Sequence, residues 1–249
     1  MSKSALLDVV YDVNVDHVCS IAVILDSSYN PPTIGHLEIM LNATLLQPGT
    51  HNVHILITTS ITNVEKDAAT AKAINHRLAL MKAFVADLKD KVSDPSKYRW
   101  TVLLFDDAPL FFTKQKLLLE TYPNIQQFKF IMGDDTFLRF IDPLYYQCFG
   151  GPHLLHEAFC RFNSTARVIV YTRSCRNLEE FQLKYSKLKA LYKEYEAGIT
   201  NPEDIRALGE RFANVSSTRA RALLASGERD ALARIVPPSV YKVIMSADY

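Results

Sequence analysis

The chain has 249 residues, 48% of them hydrophobic and 22% charged, and its formal charge is 28 − 27 = +1. That balance suits a folded globular protein with a sizeable core, and it excludes both a disordered acidic or basic chain and a generally basic nucleic-acid binder. The charge is uneven: residues 1–160 carry 13 Lys/Arg against 17 Asp/Glu, and residues 161–249 carry 15 against 10, so cations for an anionic ligand are expected mainly from the last third.

Cys19, Cys148, Cys160 and Cys175 form no CxxC pair, and in a chain of this length they read as reduced thiols. Asp8, Asp12 and Asp16 interrupt the first apolar runs, so no secretory leader is expected. No apolar stretch approaches the ~18–20 residues of a membrane span. The expectation is a cytoplasmic or nuclear protein with no membrane or nucleic-acid partner.

In chain order, short apolar runs alternate with longer helical patterns. Residues 20–25 (SIAVIL), 53–58 (VHILIT), 100–105 (WTVLLF), 128–132 (FKFIM) and 168–171 (VIVY) are rich in β-branched residues and nearly unbroken, as strands buried on both faces should be. Helical patterns cover 35–46, 73–91, 114–121, 134–141 and 178–196, and residues 217–226 and 237–246 close the chain. This βαβα order predicts an α/β, Rossmann-like parallel sheet with helices on both faces and a C-terminal helical segment. A single domain spans 1–249: an N-terminal arm over 1–18, a core over 19–215, and C-terminal helices over 216–249. Ligands of such sheets bind at the carboxyl ends of the strands, in the loops entering helices.

Two segments carry chemistry. The first predicted strand runs into Asp26-Ser-Ser-Tyr-Asn-Pro-Pro-Thr-Ile-Gly-His36, with a helix starting near Gly35. It is neither a G-x-G-x-x-G fingerprint nor a P-loop. Free backbone N–H groups and the helix dipole still make its helix start an anion site, and His36 in the first turn can donate to a phosphate oxygen. The same residues could also form a plain turn at Asn30-Pro31-Pro32 with Thr33 as helix cap. The second segment, Val215-Ser-Ser-Thr-Arg-Ala-Arg221, puts three hydroxyls at a helix start and Arg221 one turn in, within reach of an anion or merely capping the helix.

SSYNPPTIGH (27–36) resembles the signature of the nucleotidylyltransferase superfamily in its nicotinamide mononucleotide adenylyltransferase form: Gly-Ser-Phe-Asn-Pro, four residues, then His. VSSTRAR (215–221) is similar to that family's Ile-Ser-Ser-Thr-x-x-Arg, Ile131-Met-Gly-Asp-Asp135 to its Gly-Ala-Asp, and Tyr171-Thr-Arg173 to its Val-Thr-Arg. The four matches fall in family order, and they look most like a divergent fungal branch.

The resemblance implies transfer of an adenylyl group from ATP to nicotinamide or nicotinate mononucleotide, with Mg²⁺ held mainly by the phosphates. His36, Arg221 and Lys66 (or Lys72) would be catalytic. Ser27, Ser28, Thr33, Gly35, His36, Arg173, Ser216, Ser217, Thr218 and Arg221 would bind ATP. Tyr29, Asn30, Gly133, Asp135 and one or more of Trp100, Tyr145 and Tyr146 would meet the mononucleotide or its ribose. Ser27 stands where the family has glycine, and Asp134 adds a carboxylate. Two alternatives follow: an ATP-binding regulatory protein or weak ATPase of the same fold, or a transferase using another phosphorylated acceptor.

Overall fold

The computed structural model describes residues 6–45, 52–61, 71–106, 108, 110–149, 152–191 and 202–246. Its seven strands are β1 (Leu6–Val13), β2 (Ile21–Asp26), β3 (Val53–Ser60), β4 (Tyr98–Asp106), β5 (Gln127–Gly133), β6 (Ala166–Thr172) and β7 (Asp204–Ala207). They form one sheet in the order β1-β4-β3-β2-β5-β6-β7. Every pairing is parallel except that of β1 with β4. The apolar runs become β2 to β6: the first is shifted by one residue and the other four are extended by two or three.

Nine helices lie among the described residues: α1 (Ile34–Leu45), α2 (Ala71–Lys89), α3 (Phe111–Thr121), α4 (Asp134–Ile141), α5 (Pro152–Thr165), α6 (Cys175–Leu191), α7 (Ser217–Ala225), α8 (Arg229–Ala233) and α9 (Pro238–Ser246). The period-2 alternation of the strands divides the core. Val23, Leu25, Ile55, Ile57 and Val102 point to the face covered by α1, α2, α7, α8 and α9. Ala22, Ile24, Leu56, Leu103 and Phe105 point to the face of α3 to α6, where Phe128, Phe130, Phe137, Phe140, Phe159 and Phe162 make an aromatic-rich layer. Both faces being covered is what lets the strands be apolar on every residue.

Several elements depart from expectation. The segment expected as an arm contains β1, which closes the outer edge of β4. Its Asp12 accepts hydrogen bonds from Arg99 Nε (3.0 Å) and Thr101 Oγ1 (2.9 Å). The bulge between Val9 and Tyr11 and the interleaved aspartates hide the strand period in the sequence. β7, α5 and α8 were likewise not anticipated; β7 has only four residues and no fully buried position. The predicted end of α6 beyond 191 lies outside the described residues.

The order of the central strands sets the ligand crevice. The chain proceeds from β2 outward through β3 and β4, then returns to the other side of β2 with β5 and β6. The connections leaving β2 and β5 therefore diverge to opposite faces, opening a cleft between their carboxyl ends. The loop 27–33 and the start of α4 border that cleft.

Candidate active site

β2 ends at Asp26, but Ser27 N–H still donates to Thr58 O of β3 at 3.1 Å, so the sheet guides the chain one residue further. The chain then turns sharply. Tyr29 has left-handed backbone (φ 44°), its ring is wholly buried, and its hydroxyl donates to Leu25 O at 2.8 Å. That ring lies between His36 (centroids 5.5 Å apart) and Phe84 (5.7 Å). Thr33, also buried, precedes α1.

His36 is held from one side by Thr33, whose backbone N–H donates to Nδ1 at 3.1 Å and whose hydroxyl lies 2.8 Å from the same nitrogen. A backbone N–H can only donate, so Nδ1 must be the unprotonated nitrogen and Nε2 carries the hydrogen. Nε2 lies 3.3 Å from Ser27 Oγ, which accepts that hydrogen at the end of β2. Burial, helped by the positive charge of Arg173, lowers the His36 pKa to about 4. At neutral pH the ring is thus an uncharged donor aimed at the cleft.

The second motif comes to the same place from about 190 residues away in the chain. Ser216 caps α7 by accepting from Arg219 N–H at 3.1 Å. Ser217 Oγ donates to Pro31 O at 2.8 Å, and Arg221 donates to Asn30 O at 2.6 Å and to Thr218 Oγ1 at 3.2 Å. Ile34 N–H donates to Ile235 O at 3.0 Å, tying the start of α1 to the segment before α9. Gly35 lies against this junction: a Cβ there would meet Thr33 Oγ1 at 3.4 Å and Val215 Cγ1 at 3.6 Å. The loop bearing His36 and the helix start bearing Ser217, Thr218 and Arg221 are one surface.

Beside it, Gly133 caps α4 in extended conformation, and no atom lies within 4 Å of where a Cβ would stand. Asp134 and Asp135 occupy the first turn of α4. Burial and the neighbouring charge of Asp135 raise the Asp134 pKa, against the opposing pull of Arg173. Arg173 follows β6, and its charge reaches both His36 and Asp134. A polar groove of about 200 Å³ runs between α4 and α6, lined by Asp134, Asp135, Arg173, Asn177 and Lys184 among others.

Some expected residues are placed elsewhere. Trp100 stands near the amino end of β4, opposite the cleft; it is 1% exposed and its indole donates to Pro95 O. Tyr146 is buried, donates to Phe140 O at 2.8 Å and packs on Phe112 and Phe159. Tyr145 is half-buried against the same core. Tyr29 supports the His36 ring from below. Trp100, Tyr146 and Tyr29 therefore present no open ring to the cleft, because each is buried in the core. Lys66 lies outside the described residues; Lys72 is exposed in the first turn of α2.

Sequence reading missed two cations. Arg77 of α2 donates to Thr59 Oγ1 (3.4 Å) and Ser60 O (3.1 Å) at the end of β3. Lys114 of α3 pairs with Asp26 at the end of β2. Neither lies in a motif, and only the packing of α2 and α3 against the strand ends brings them there.

No family model matches the chain. It is 26% identical over 225 residues to a Schizosaccharomyces pombe protein provisionally named a nicotinamide mononucleotide adenylyltransferase, covering 89% of this chain and 82% of that protein. A Plasmodium falciparum nicotinic acid mononucleotide adenylyltransferase, solved in complex with APC, overlays with a TM-score of 0.52 at 16% identity, over 91% of this chain and 94% of its own. Thermotoga maritima TmcAL bound to α-thio ATP overlays at 0.43 and 16% identity, over 91% of this chain and 55% of its own. Along nine-tenths of its length the chain is thus similar to a protein named as a mononucleotide adenylyltransferase, and it shares the fold of a solved one.

Proposed function

We propose that the protein transfers the adenylyl group of ATP to the phosphate of nicotinamide or nicotinate mononucleotide, forming the dinucleotide and pyrophosphate. The observation that carries this reading is the junction of the 27–36 loop with the start of α7, which sets a neutral imidazole donor and Arg221 on one surface at the strand-order reversal. The names of the S. pombe relative and of the P. falciparum neighbour support the same chemistry.

The reaction asks little of the protein in acid–base terms. The attacking mononucleotide phosphate, with a second pKa near 6, is already ionised at pH 7. An oxygen of that phosphate attacks the α-phosphorus, the bond to the bridging oxygen breaks, and pyrophosphate leaves with the electron pair. What helps is in-line positioning and stabilisation of charge on the phosphoryl oxygens. His36 Nε2–H would donate to an α-phosphate oxygen, replacing its contact with Ser27. Ser217, Thr218 and Arg221 would hold the β- and γ-phosphates, exchanging or sharing their present contacts with Asn30 O and Pro31 O. Ser216 would keep the helix start rigid, Ser28 and Thr33 would line the loop, and Gly133, Asp135 and Arg173 would meet the riboses and adenine. Mg²⁺ keeps much of its water and suits phosphate oxygens; the phosphates would hold it, Asp134 and Asp135 of the first turn of α4 would be the carboxylates to assist, and the ion would screen the triphosphate charge.

One observation favours the ATP-binding or weak ATPase alternative: Trp100 and Tyr146, two of the aromatic residues expected at the pyridine, are buried in the core, leaving the acceptor half of the cleft less defined than the ATP half. Incubation with ATP, Mg²⁺ and each pyridine mononucleotide decides between them. Equal amounts of dinucleotide and pyrophosphate support transfer, whereas tight ATP binding with release of free phosphate alone would refute it.

A further inference from the structure

The last residue of β2, Asp26, is one step from Ser27 and therefore from the His36 donor. Its carboxylate is fully engaged: Oδ1 accepts from Thr58 Oγ1 at 2.8 Å, and Oδ2 is paired with Lys114 Nζ at 2.5 Å. The pair is enclosed, with side-chain exposures of 13% for Asp26 and 5% for Lys114. The ammonium also lies over the rings of Phe111 (5.1 Å) and Phe105 (5.7 Å). Three elements, β2, β3 and α3, are thus joined at the floor of the cleft.

Fold stability alone does not account for such a pair. A buried ion pair contributes no more than well-packed apolar residues of the same volume, and often less. Its position accounts for it better. The carboxyl ends of the strands carry several acids, Asp26 on β2, Asp106 on β4, and Asp134 and Asp135 after β5. A triphosphate brought to that edge meets a field set by these carboxylates and by Arg173, Arg221, Arg77 and Lys114. An uncompensated charge on Asp26, in partly buried surroundings, would act on the phosphates over ~10 Å or more, because such sites are weakly screened.

We propose that Lys114 is a positioning residue of the nucleotide site: it neutralises Asp26 and fixes the strand end, so that the loop from Ser27 to His36 meets triphosphate without a facing negative charge. The proposal rests on the ATP-site reading above. It assigns the two partners opposite signs. Losing the lysine leaves an anion under the phosphates, and losing the aspartate charge leaves a cation there. A purely structural pair would have one sign, since removing either partner breaks the same contact.

The test is equilibrium ATP binding, measured by calorimetry without acceptor, on the whole protein and on Lys114→Met, Asp26→Asn and the double variant. Thermal unfolding is followed in parallel. Lys114→Met should weaken ATP binding about tenfold at low salt, and Asp26→Asn should tighten it or leave it at the parent value. The double variant, neutral again, should return to within about twofold of the parent. Both single effects should shrink as salt rises. If Lys114→Met does not fold, Asp26→Asn and the double variant still decide the matter. Weakening by Asp26→Asn, or a double variant as poor as Lys114→Met, overturns the charge-balance role while leaving the ATP site standing. Absence of ATP binding by the parent protein overturns the site reading itself, and this proposal with it.

Discussion

Replacing His36 by alanine removes one oriented donor at the end of β2 and little else of the fold. The ring is fixed on three sides: Thr33 N–H at 3.1 Å and Thr33 Oγ1 at 2.8 Å hold Nδ1, Ser27 Oγ stands 3.3 Å from Nε2, and Tyr29 packs against it, its ring tilted by 45°. Since Nδ1 accepts, Nε2–H is already oriented before substrate arrives, and no reorientation cost is met during reaction. The oxygen it would serve gains charge as the transfer proceeds, so the contact strengthens in the transition state. Losing one such donor costs roughly 10²–10³ in kcat, or about 3–4 kcal/mol, by comparison with oxyanion-site deletions. ATP affinity should fall by much less, because the same oxygen carries less charge in bound ATP.

Steady-state kinetics of dinucleotide formation, with ATP affinity from calorimetry, separates the two effects. Thr33→Val is the companion variant. It keeps the backbone N–H but removes the hydroxyl, loosening the ring, and kcat should drop by a smaller factor, roughly three- to tenfold, a loss typical of one neutral hydrogen bond. Because the His36 pKa lies at about 4 in the free protein, His36 should contribute no ionisation to the kcat/KM profile between pH 5.5 and 8. The reasoning is refuted if His36→Ala turns over like the parent while ATP binding collapses. A kinetic break near pH 6.5 that disappears in His36→Ala would refute the assigned protonation state.

Arg221→Ala should impair both ATP affinity and turnover, since the phosphates it would meet are fully charged in bound ATP; it also loses the 2.6 Å bond to Asn30 O, so affinity and kcat are read together. Asp134→Ala should tighten ATP binding at low salt if the carboxylate crowds the phosphates, and weaken it in a Mg²⁺-dependent way if it holds the ion; titration with and without the metal distinguishes them. Asp87, buried on α2, accepts from Ser239 N–H at 3.0 Å and Val240 N–H at 3.4 Å, capping α9 from outside its own sequence. Asp87→Ala should cost about 2–3 kcal/mol in urea unfolding by leaving that helix start unsatisfied. His54, 1% exposed and donating from Nε2 to Thr101 Oγ1 at 2.7 Å, has its pKa pushed by burial to about 3. The unfolded chain takes up that proton near pH 6.5 and the folded one does not, so stability is complete above that pH and lost as pH falls. At pH 5 the loss should be about 2 kcal/mol, and His54→Gln should flatten the pH dependence of urea unfolding.

The legible parts of the fold are those whose signal is local. The short apolar runs 53–58 and 128–132 read as buried strands of a covered sheet, and once the βαβα order is read, the carboxyl edge becomes the candidate site. His36, Gly35 and Ser216–Arg221 could be singled out because capping hydroxyls and a first-turn histidine are local chemistry, and the structure brings them to one surface. Trp100 was misread for a geometric reason: a strand number says nothing about which end of the strand a residue occupies, and Trp100 is at the amino end. Tyr29 and Tyr146 look like ligand platforms in sequence, but their hydroxyls satisfy nearby carbonyls at 2.8 Å, which makes them inexpensive to bury. Lys114 is unreadable in principle from spacing, because its partner Asp26 is 88 residues away and only the packing of α3 joins them.

The same long-range closure explains why the site belongs to the whole chain rather than to its first half. The 27–33 loop is anchored at its ends by Ser27, Tyr29 and Thr33, but in its middle Asn30 and Pro31 present carbonyls that water would otherwise serve. Ser217 and Arg221 take those carbonyls from 186 and 191 residues away, and Ile34 N–H takes Ile235 O. The C-terminal segment is in turn pinned to α2 through Asp87 and the apolar contacts of Leu232, Val236, Val240 and Ile244 in the core. Each link is modest, about 1 kcal/mol net for a neutral hydrogen bond. They lie in series, however, so a change that frees α9 also releases the helix start that would grip the phosphates. Damage to the C-terminal helices should therefore be felt first as lost nucleotide affinity, because the loop geometry depends on them more than the central sheet does.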